Sequence, residues 1–188
     1  MKKSVGPMSL VQLKLSQGLE QNDAPESLVG LLLACHTRIR RFARLAFTVG
    51  ARPDLPAEEV KEAAAQCLRY FSEALPLHVR DEEESLWPRL AGRSAAIDAS
   101  MAQMRAQHFG HGVRLEALLA ALRAVQQQPH EAAAHRHLAL AASALETDFE
   151  DHLRLEETEL FPLLETALPA DVRATIVDEL RARRRPPS

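Results

Sequence analysis

Several features that define common classes of protein are scarce in this sequence. Its 188 residues include two cysteines, Cys35 and Cys67, which form no C-x-x-C pair and are too few for a disulfide framework. The longest apolar run, residues 28–35, is far too short to cross a bilayer. Polar residues interrupt the N-terminal stretch, which therefore does not resemble a signal peptide. We expect a reduced, cytoplasmic protein with no membrane partner.

An excess of charge of one sign is also lacking. The chain has 23 basic and 26 acidic residues, for a formal net charge of −3. Its arginines are spread along the helical patterns rather than gathered in one patch, so there is no electrostatic case for a nucleic-acid partner. We interpret the closing sequence RARRRPPS as a basic, frayed tail.

The composition favours helices nearly everywhere. Aromatic residues make up 4% of the chain, and no segment alternates cleanly enough between polar and apolar residues to predict a strand. Proline- and glycine-containing breaks predict helices over residues 23–48, 56–90, 94–127, 129–167 and 170–184. Asp23, Pro25 and Glu26 are typical of the start of the first helix.

Four long helices joined by short connections prefer antiparallel neighbours. The predicted fold class is therefore all-α: an up-down-up-down four-helix bundle with a short extra C-terminal helix. We expect residues 1–22 to be a weakly specified N-terminal segment, residues 23–168 to form the bundle, and residues 169–188 to form the short helix and basic tail.

One motif occurs twice, as HVRDEEESLWP from residue 78 and as HLRLEETELFP from residue 152. Residues four apart share a helix face, so His78 points with Glu82 and His152 with Glu156. Mixed nitrogen and oxygen ligands suit iron, manganese or zinc. A single such pair is usually a surface ion pair, but the matching flanks and the apolar stripes place both copies inside, where unpartnered carboxylates are costly.

The glutamates that follow in each copy, Glu83 and Glu157, have three open interpretations: further ligands, hydrogen-bonding partners of the ligands, or surface charges. Pro76 lies within the second predicted helix, and either kinks it around the core or aims His78 inward.

The other two long helices offer further histidines. His36 lies on the apolar stripe of the first helix, and His108 and His111 share a face of the third. Each is a candidate metal ligand, and each could instead be a hydrogen-bonded core residue or a polar neighbour. Gly110 and Gly112 beside them permit either close helix packing or an open pocket.

Competing site motifs are missing from the sequence. It contains no E-x-x-H, so the ferritin-like carboxylate pattern is absent. HEAAAH at residues 130–135 has one residue too many for the zinc protease motif. We expect these histidines, together with His137, at the surface near the start of the fourth helix.

The doubled motif resembles that of the hemerythrin-like (HHE cation-binding) domains, over roughly residues 27–166. The resemblance implies a four-helix bundle that holds two non-haem irons, bridged by two carboxylates and an oxygen species (oxo or hydroxo), with zinc or manganese as possible substitutes. It assigns His36, His78, His108 and His152 as terminal ligands and Glu82 and Glu156 as bridges.

The resemblance also contains a departure. Oxygen-carrying members of the family have H-x-x-x-H on the third helix and H-x-x-x-x-D on the fourth, whereas this chain has H-x-x-H and H-x-x-x-E. The departure argues against simple reversible oxygen carriage and leaves the role of His111 open.

The leading functional hypothesis is a di-iron protein that binds or senses dioxygen, nitric oxide or peroxide, in an apolar pocket formed by Phe71 and Phe149. Cys67 either lines that pocket or is an ordinary buried cysteine. Two alternatives stay open: an iron-responsive or structural interaction module with an unknown protein partner, and a di-iron peroxidase or oxidase. A binding protein is favoured over a dedicated enzyme because no separate acid–base pair is visible.

Overall fold

The computed structural model describes residues 27–185, which form five helices and no strand. These are α1 (Leu28–Ala51), α2 (57–90), α3 (Ala95–Gln127), α4 (132–167) and α5 (Ala170–Ala182). The predicted all-α class is confirmed, and the four long helices begin and end near the predicted residues. Within the described range, no helix is both long and apolar enough to cross a membrane.

The distribution of the core shows that neighbouring helices run in opposite directions. One apolar cluster joins the start of α1, the end of α2, the start of α3 and the end of α4, through Leu28, Leu90, Ile97 and Leu164. A second cluster joins the opposite ends, through Val49, Val60, Val125 and Leu138. Contacts run around a ring, with α1 against α2 and α4, and α3 against the same two helices. This is the up-down-up-down arrangement.

Two of the long helices contain wide π-helical turns. In α2 these are Tyr70–Ala74 and Asp81–Leu86, and in α4 the turn is Glu156–Leu160. A proline lies two residues after the end of each turn, at positions 76, 88 and 162. Proline lacks an N–H and clashes with the carbonyl four residues earlier, and a wider turn relieves both problems. The prolines of the repeated motif therefore set the geometry of the turns that carry its glutamates.

The turn before Pro76 also bears on the two interpretations of that proline. His78 is 4% exposed and lies between the two π-turns of α2. The local irregularity is therefore associated with an inward-pointing histidine rather than with curvature alone.

The first helix begins at a different cap from the one predicted. The Ser27 side chain accepts a hydrogen bond from the Gly30 amide at 3.1 Å, which satisfies one of the free N–H groups at the helix start. The predicted capping residues Asp23, Pro25 and Glu26 lie outside the described residues.

The prediction that His135 lies at the surface is wrong. Its side chain is 1% exposed, and its two ring nitrogens face the carbonyl oxygens of Val49 (2.8 Å) and Pro129 (3.0 Å). The His135 ring joins the end of α1 to the connection before α4. It thereby gives the backbone carbonyls of Val49 and Pro129 a hydrogen-bonding partner. His130 and His137 are exposed, as predicted.

The basic C-terminal sequence is not simply frayed. α5 packs against α1 and against the Asp81–Leu86 turn of α2. Beyond its last residue, Arg183 and Arg184 both bind the buried carboxylate of Asp81. The description ends at residue 185.

The glycines of the long helices differ in how much space surrounds them. A Cβ placed on Gly50 would lie 2.4 Å from the backbone nitrogen of Ala139, so α1 and α4 approach each other too closely for any side chain there. A Cβ on Gly110 or Gly112 would meet nothing within 4 Å. The close-packing interpretation of Gly110 and Gly112 is therefore wrong. Gly112 borders a cavity, whereas Gly110 is exposed.

This contrast predicts opposite effects on stability. Gly50→Ala forces a backbone shift between α1 and α4 and should lower the free energy of unfolding by about 1–3 kcal/mol. Gly110→Ala gains helix propensity without a clash and should raise it by about 0.5–1 kcal/mol. Urea unfolding of the metal-free protein measures both values, and equal effects of the two substitutions would contradict the close approach at Gly50.

Candidate metal centre

A layer of polar side chains separates the two apolar clusters at mid-bundle. It contains one histidine from each of the four long helices and one glutamate from each π-turn of the repeated motif. All of these side chains are buried or nearly so: His36, His78, Glu82, His108, His152 and Glu156. A polar layer at this depth is unfavourable unless its groups are paired.

The possible ligand atoms in this layer form two groups. Within each group the atoms lie within 4.8 Å of one another. The first group contains His36, His78, Glu82 and Glu156, and the second contains Glu82, His108 and His152. His111, the remaining predicted site residue, belongs to neither.

Each glutamate reaches both groups. For Glu82, Oε1 lies 3.0 Å from Nε2 of His78 and Oε2 lies 3.3 Å from Nε2 of His108. For Glu156, Oε2 lies 3.0 Å from Nε2 of His36 and Oε1 lies 3.6 Å from Nε2 of His152. Each carboxylate therefore turns one oxygen toward each histidine pair, which is the arrangement that two bridging carboxylates require.

Outer hydrogen bonds fix the tautomers of three histidines. Nδ1 of His36 donates to Oε1 of Glu157 (2.8 Å), and Nδ1 of His108 donates to Oε1 of Glu83 (2.9 Å). Nδ1 of His152 donates to the side-chain carbonyl of Gln107 (3.0 Å). A neutral ring that carries its proton on Nδ1 has a bare lone pair on Nε2. The inward-facing nitrogens are thus prepared to act as ligands.

The fourth histidine has no such partner, because both ring nitrogens of His78 are buried without a well-formed hydrogen bond. Burial lowers the pKa of His78, but the charge of Glu82 and the nearby thiol of Cys35 raise it well above its usual value. Burial raises the pKa of Cys35, yet the nearby His78 and the charges of Arg38 and Arg184 bring it from 9.0 down to about 7.

These contacts follow an order around the bundle. Glu83 on α2 supports the histidine of α3, Gln107 on α3 supports that of α4, and Glu157 on α4 supports that of α1. Three of the four inward histidines are therefore oriented by the preceding helix of the ring. In this structure Glu83 and Glu157 are hydrogen-bonding partners of His108 and His36, which is one of the three interpretations that the sequence left open.

The aromatic residue of each motif copy also packs against one of the inward histidines. Trp87 stacks on His108, with ring centroids 5.0 Å apart, and Phe161 packs on His36 at the same separation. The second glutamate and the aromatic residue of one copy thus hold the same histidine on a neighbouring helix. This explains why the sequence contains the motif twice.

The inward-facing atoms require a positive charge between them. Both ring nitrogens of His78, Nε2 of His36 and all four oxygens of Glu82 and Glu156 are buried and make no well-aligned hydrogen bond. Nε2 of His108 lies only 3.2 Å from Nε2 of His152. Cations at the two groups would satisfy the inward-facing atoms, and the nitrogen and oxygen donors fit iron, manganese or zinc.

The pKa values of the buried groups also indicate that positive charge is needed between them. Burial and the charge of Glu82 raise the pKa of Glu156 to about 7, so protons occupy the layer when metal does not. Burial raises the pKa of Glu82, but the charges and hydrogen bonds of His78 and His108 lower it well below its usual value. Burial lowers the pKa of His152 to about 3, which leaves that ring neutral.

A cavity of about 110 Å³ adjoins the layer. Three of the four inward histidines, His78, His108 and His152, border it, and so does His111. The other lining residues are apolar: Ile39, Leu75, Val79, Gly112, Leu115, Phe149 and Leu153. The expectation that Phe71 lines the pocket is wrong, because Phe71 is buried in the apolar cluster that also contains Cys67.

Three residues around the candidate ligands were not predicted from the sequence. Cys35, Gln107 and Asp81 were not singled out, although the first two immediately precede His36 and His108 in the sequence. Asp81 precedes Glu82 in the same way. A search of the residues adjacent to each candidate ligand would have found all three, but not the helix that each one contacts.

Metal affinity should depend on pH. Binding must displace the proton of Glu156, whose pKa is about 7, and that of His78, whose pKa is also raised. Affinity for Co²⁺ should therefore fall as the pH drops below about 7, by about tenfold per pH unit for each proton released. Competition titrations with a chelator between about pH 6 and pH 8 measure the slope, and a flat profile would contradict it.

Comparison with known proteins agrees with the geometry. Residues 27–164 match the model of the hemerythrin HHE cation-binding domain. The chain is also 28% identical over 168 residues to an uncharacterized protein of Haemophilus influenzae, covering 83% of this chain and 89% of that protein. The family match spans most of the chain and includes all four long helices, so the protein belongs to the hemerythrin HHE cation-binding family.

Proposed function

We propose that the protein is a non-haem di-iron protein that binds or senses a small ligand such as dioxygen, nitric oxide or peroxide. The observation that carries the proposal is the pair of buried glutamates, each of which turns one oxygen toward each of two histidine pairs. The cavity beside them gives the ligand a place to bind.

The six inward side chains would be the ligands of two metal ions. His36 and His78 would hold one iron and His108 and His152 the other, with Glu82 and Glu156 bridging both. Two cations would neutralise two carboxylates and satisfy the buried atoms that have no hydrogen-bond partner. The loaded iron pair supplies exchangeable coordination positions and a change of oxidation state.

The second group is the better candidate for ligand exchange. Both of its histidines border the cavity, and His36 of the first group does not. A cavity beside the metal is what an exchangeable coordination position requires.

The cavity limits the class of ligand. At about 110 Å³ it is well below the roughly 300–1,000 Å³ that accommodates drug-sized molecules. Its apolar wall, which includes Ile39, Leu115 and Phe149, favours small neutral molecules over water. A diatomic molecule or peroxide fits these limits.

His111 completes the polar part of the cavity wall. Burial lowers its pKa, so the ring is neutral near pH 7. A neutral imidazole carries one donor and one acceptor nitrogen and can hydrogen-bond a polar ligand in the cavity. This role replaces the prediction that His111 is a metal ligand.

Substitution of the bridging glutamates tests the metal site. Glu82→Gln and Glu156→Gln keep the side-chain shape but remove a charge from both histidine pairs, so each variant should lose at least one iron per chain. His135→Ala should keep its metal despite losing two hydrogen bonds, and the exposed Glu159→Gln should behave like the wild type. Elemental analysis measures the metal content. Equal metal content in all four variants would mean that other groups hold the metal.

Spectroscopy tests the ligand. The iron-loaded protein should show near-ultraviolet absorption that changes with dithionite and with nitric oxide, and Gly112→Leu, which fills the cavity, should weaken the response to nitric oxide while retaining iron. An iron-loaded spectrum that ignores both reagents would favour a structural metal module instead. Peroxide turnover above free-iron controls would favour the enzymatic alternative.

A further inference from the structure

Among residues 27–185, Asp81 is the one buried acidic residue outside the two ligand groups. It is fully buried and immediately precedes Glu82 in the π-turn Asp81–Leu86. Because a buried carboxylate without charged donors is costly, its partners must be built into the fold. Those partners lie about a hundred residues further along the chain.

Two arginines at the end of α5 hold this carboxylate. Nη1 of Arg183 donates to Oδ1 of Asp81 (2.9 Å), and Nη2 of Arg184 donates to Oδ2 (2.5 Å). Each oxygen therefore has its own guanidinium, and the carboxylate cannot rotate without losing a charge-assisted bond. Arg183 also donates to the hydroxyl of Ser85 in the same turn (2.7 Å).

Arg184 has a second contact that leads to the metal layer. Its Nη2 lies 3.7 Å from the sulfur of Cys35, and Arg38 approaches the same sulfur at 3.2 Å. Cys35 immediately precedes the ligand candidate His36 in the sequence. One guanidinium thus contacts the chain neighbours of two ligand candidates, Asp81 beside Glu82 and Cys35 beside His36.

The second motif copy provides an internal comparison. At the positions that correspond to Asp81 and Ser85, the copy on α4 has Leu155 and Glu159. Leu155 packs against the apolar cluster at the α5 end of the bundle and forms no polar clamp. Leu155 stands where the α2 copy has the clamped carboxylate of Asp81, so the contact is specific to the α2 turn.

We infer that Arg183 and Arg184 are positioning residues of the metal centre, which set the location of the Glu82 carboxylate by clamping Asp81 and Ser85 on the outer side of its turn. This inference rests on the proposed metal site. The clamp acts on a π-turn, whose irregular backbone has several accessible geometries, and it selects the geometry that points Glu82 inward.

The test compares arginines of the same C-terminal region. Arg183→Gln and Arg184→Gln remove one clamp each at partly exposed side chains, where loss of a single residue should be tolerated. Arg173→Gln is the matched control, because Arg173 binds the carbonyls of Glu165 and Leu168 and has no contact with the α2 turn. Arg184→Lys keeps the positive charge that Arg184→Gln removes. Each full-length variant is titrated with Co²⁺, with the visible absorption spectrum and the melting temperature as readouts.

Both clamp variants should bind Co²⁺ about tenfold more weakly and show altered visible bands, as expected for loss of an outer partner of a ligand. Arg184→Lys should recover part of the affinity. Arg173→Gln should lower the melting temperature but leave affinity and bands unchanged. Wild-type affinity and bands in both clamp variants, or an equal loss in Arg173→Gln, would overturn the inference. Failure of the wild type to bind Co²⁺ or iron would instead overturn the proposed function and this inference with it.

Discussion

Two glutamate carboxylates buried at the centre of the bundle are the constraint on which the rest of the structure depends. The oxygens of Glu82 and Glu156 are buried and make no well-aligned hydrogen bond, and histidine nitrogens are the groups that face them. Such an arrangement is stable only when protons or cations lie between the groups. The raised pKa of Glu156 indicates that a proton can lie between these groups, and membership of a cation-binding family indicates that metal ions can do so.

The surroundings of these carboxylates are organised as two related halves. Each motif copy supplies a histidine and a bridging glutamate to the centre, while its second glutamate and its aromatic residue support a histidine on a neighbouring helix. Because His36, His108 and His152 are each oriented by a residue of another helix, these ligand candidates do not depend on their own helix alone. Precise placement of these rings is therefore a property of the closed bundle.

Stability and chemistry are separated along the bundle axis. The two apolar clusters at the ends bring the helices together, and close contacts such as Gly50 against Ala139 set their spacing. The polar layer between them contributes little to packing but defines the site. The prolines of the motif link the two functions, because each enforces a wide turn in a helix that otherwise packs regularly.

The sequence by itself determined the helices, the bundle and the inward direction of His78, Glu82, His152 and Glu156, because helical periodicity and a repeated motif are local patterns. It also indicated His36 and His108 through their apolar stripes. Only the tertiary structure decided that His111 borders the cavity, that His135 is buried, and that the terminal arginines bind Asp81. These contacts join residues far apart in the chain, and their partners depend on how the helices pack rather than on any spacing within one helix.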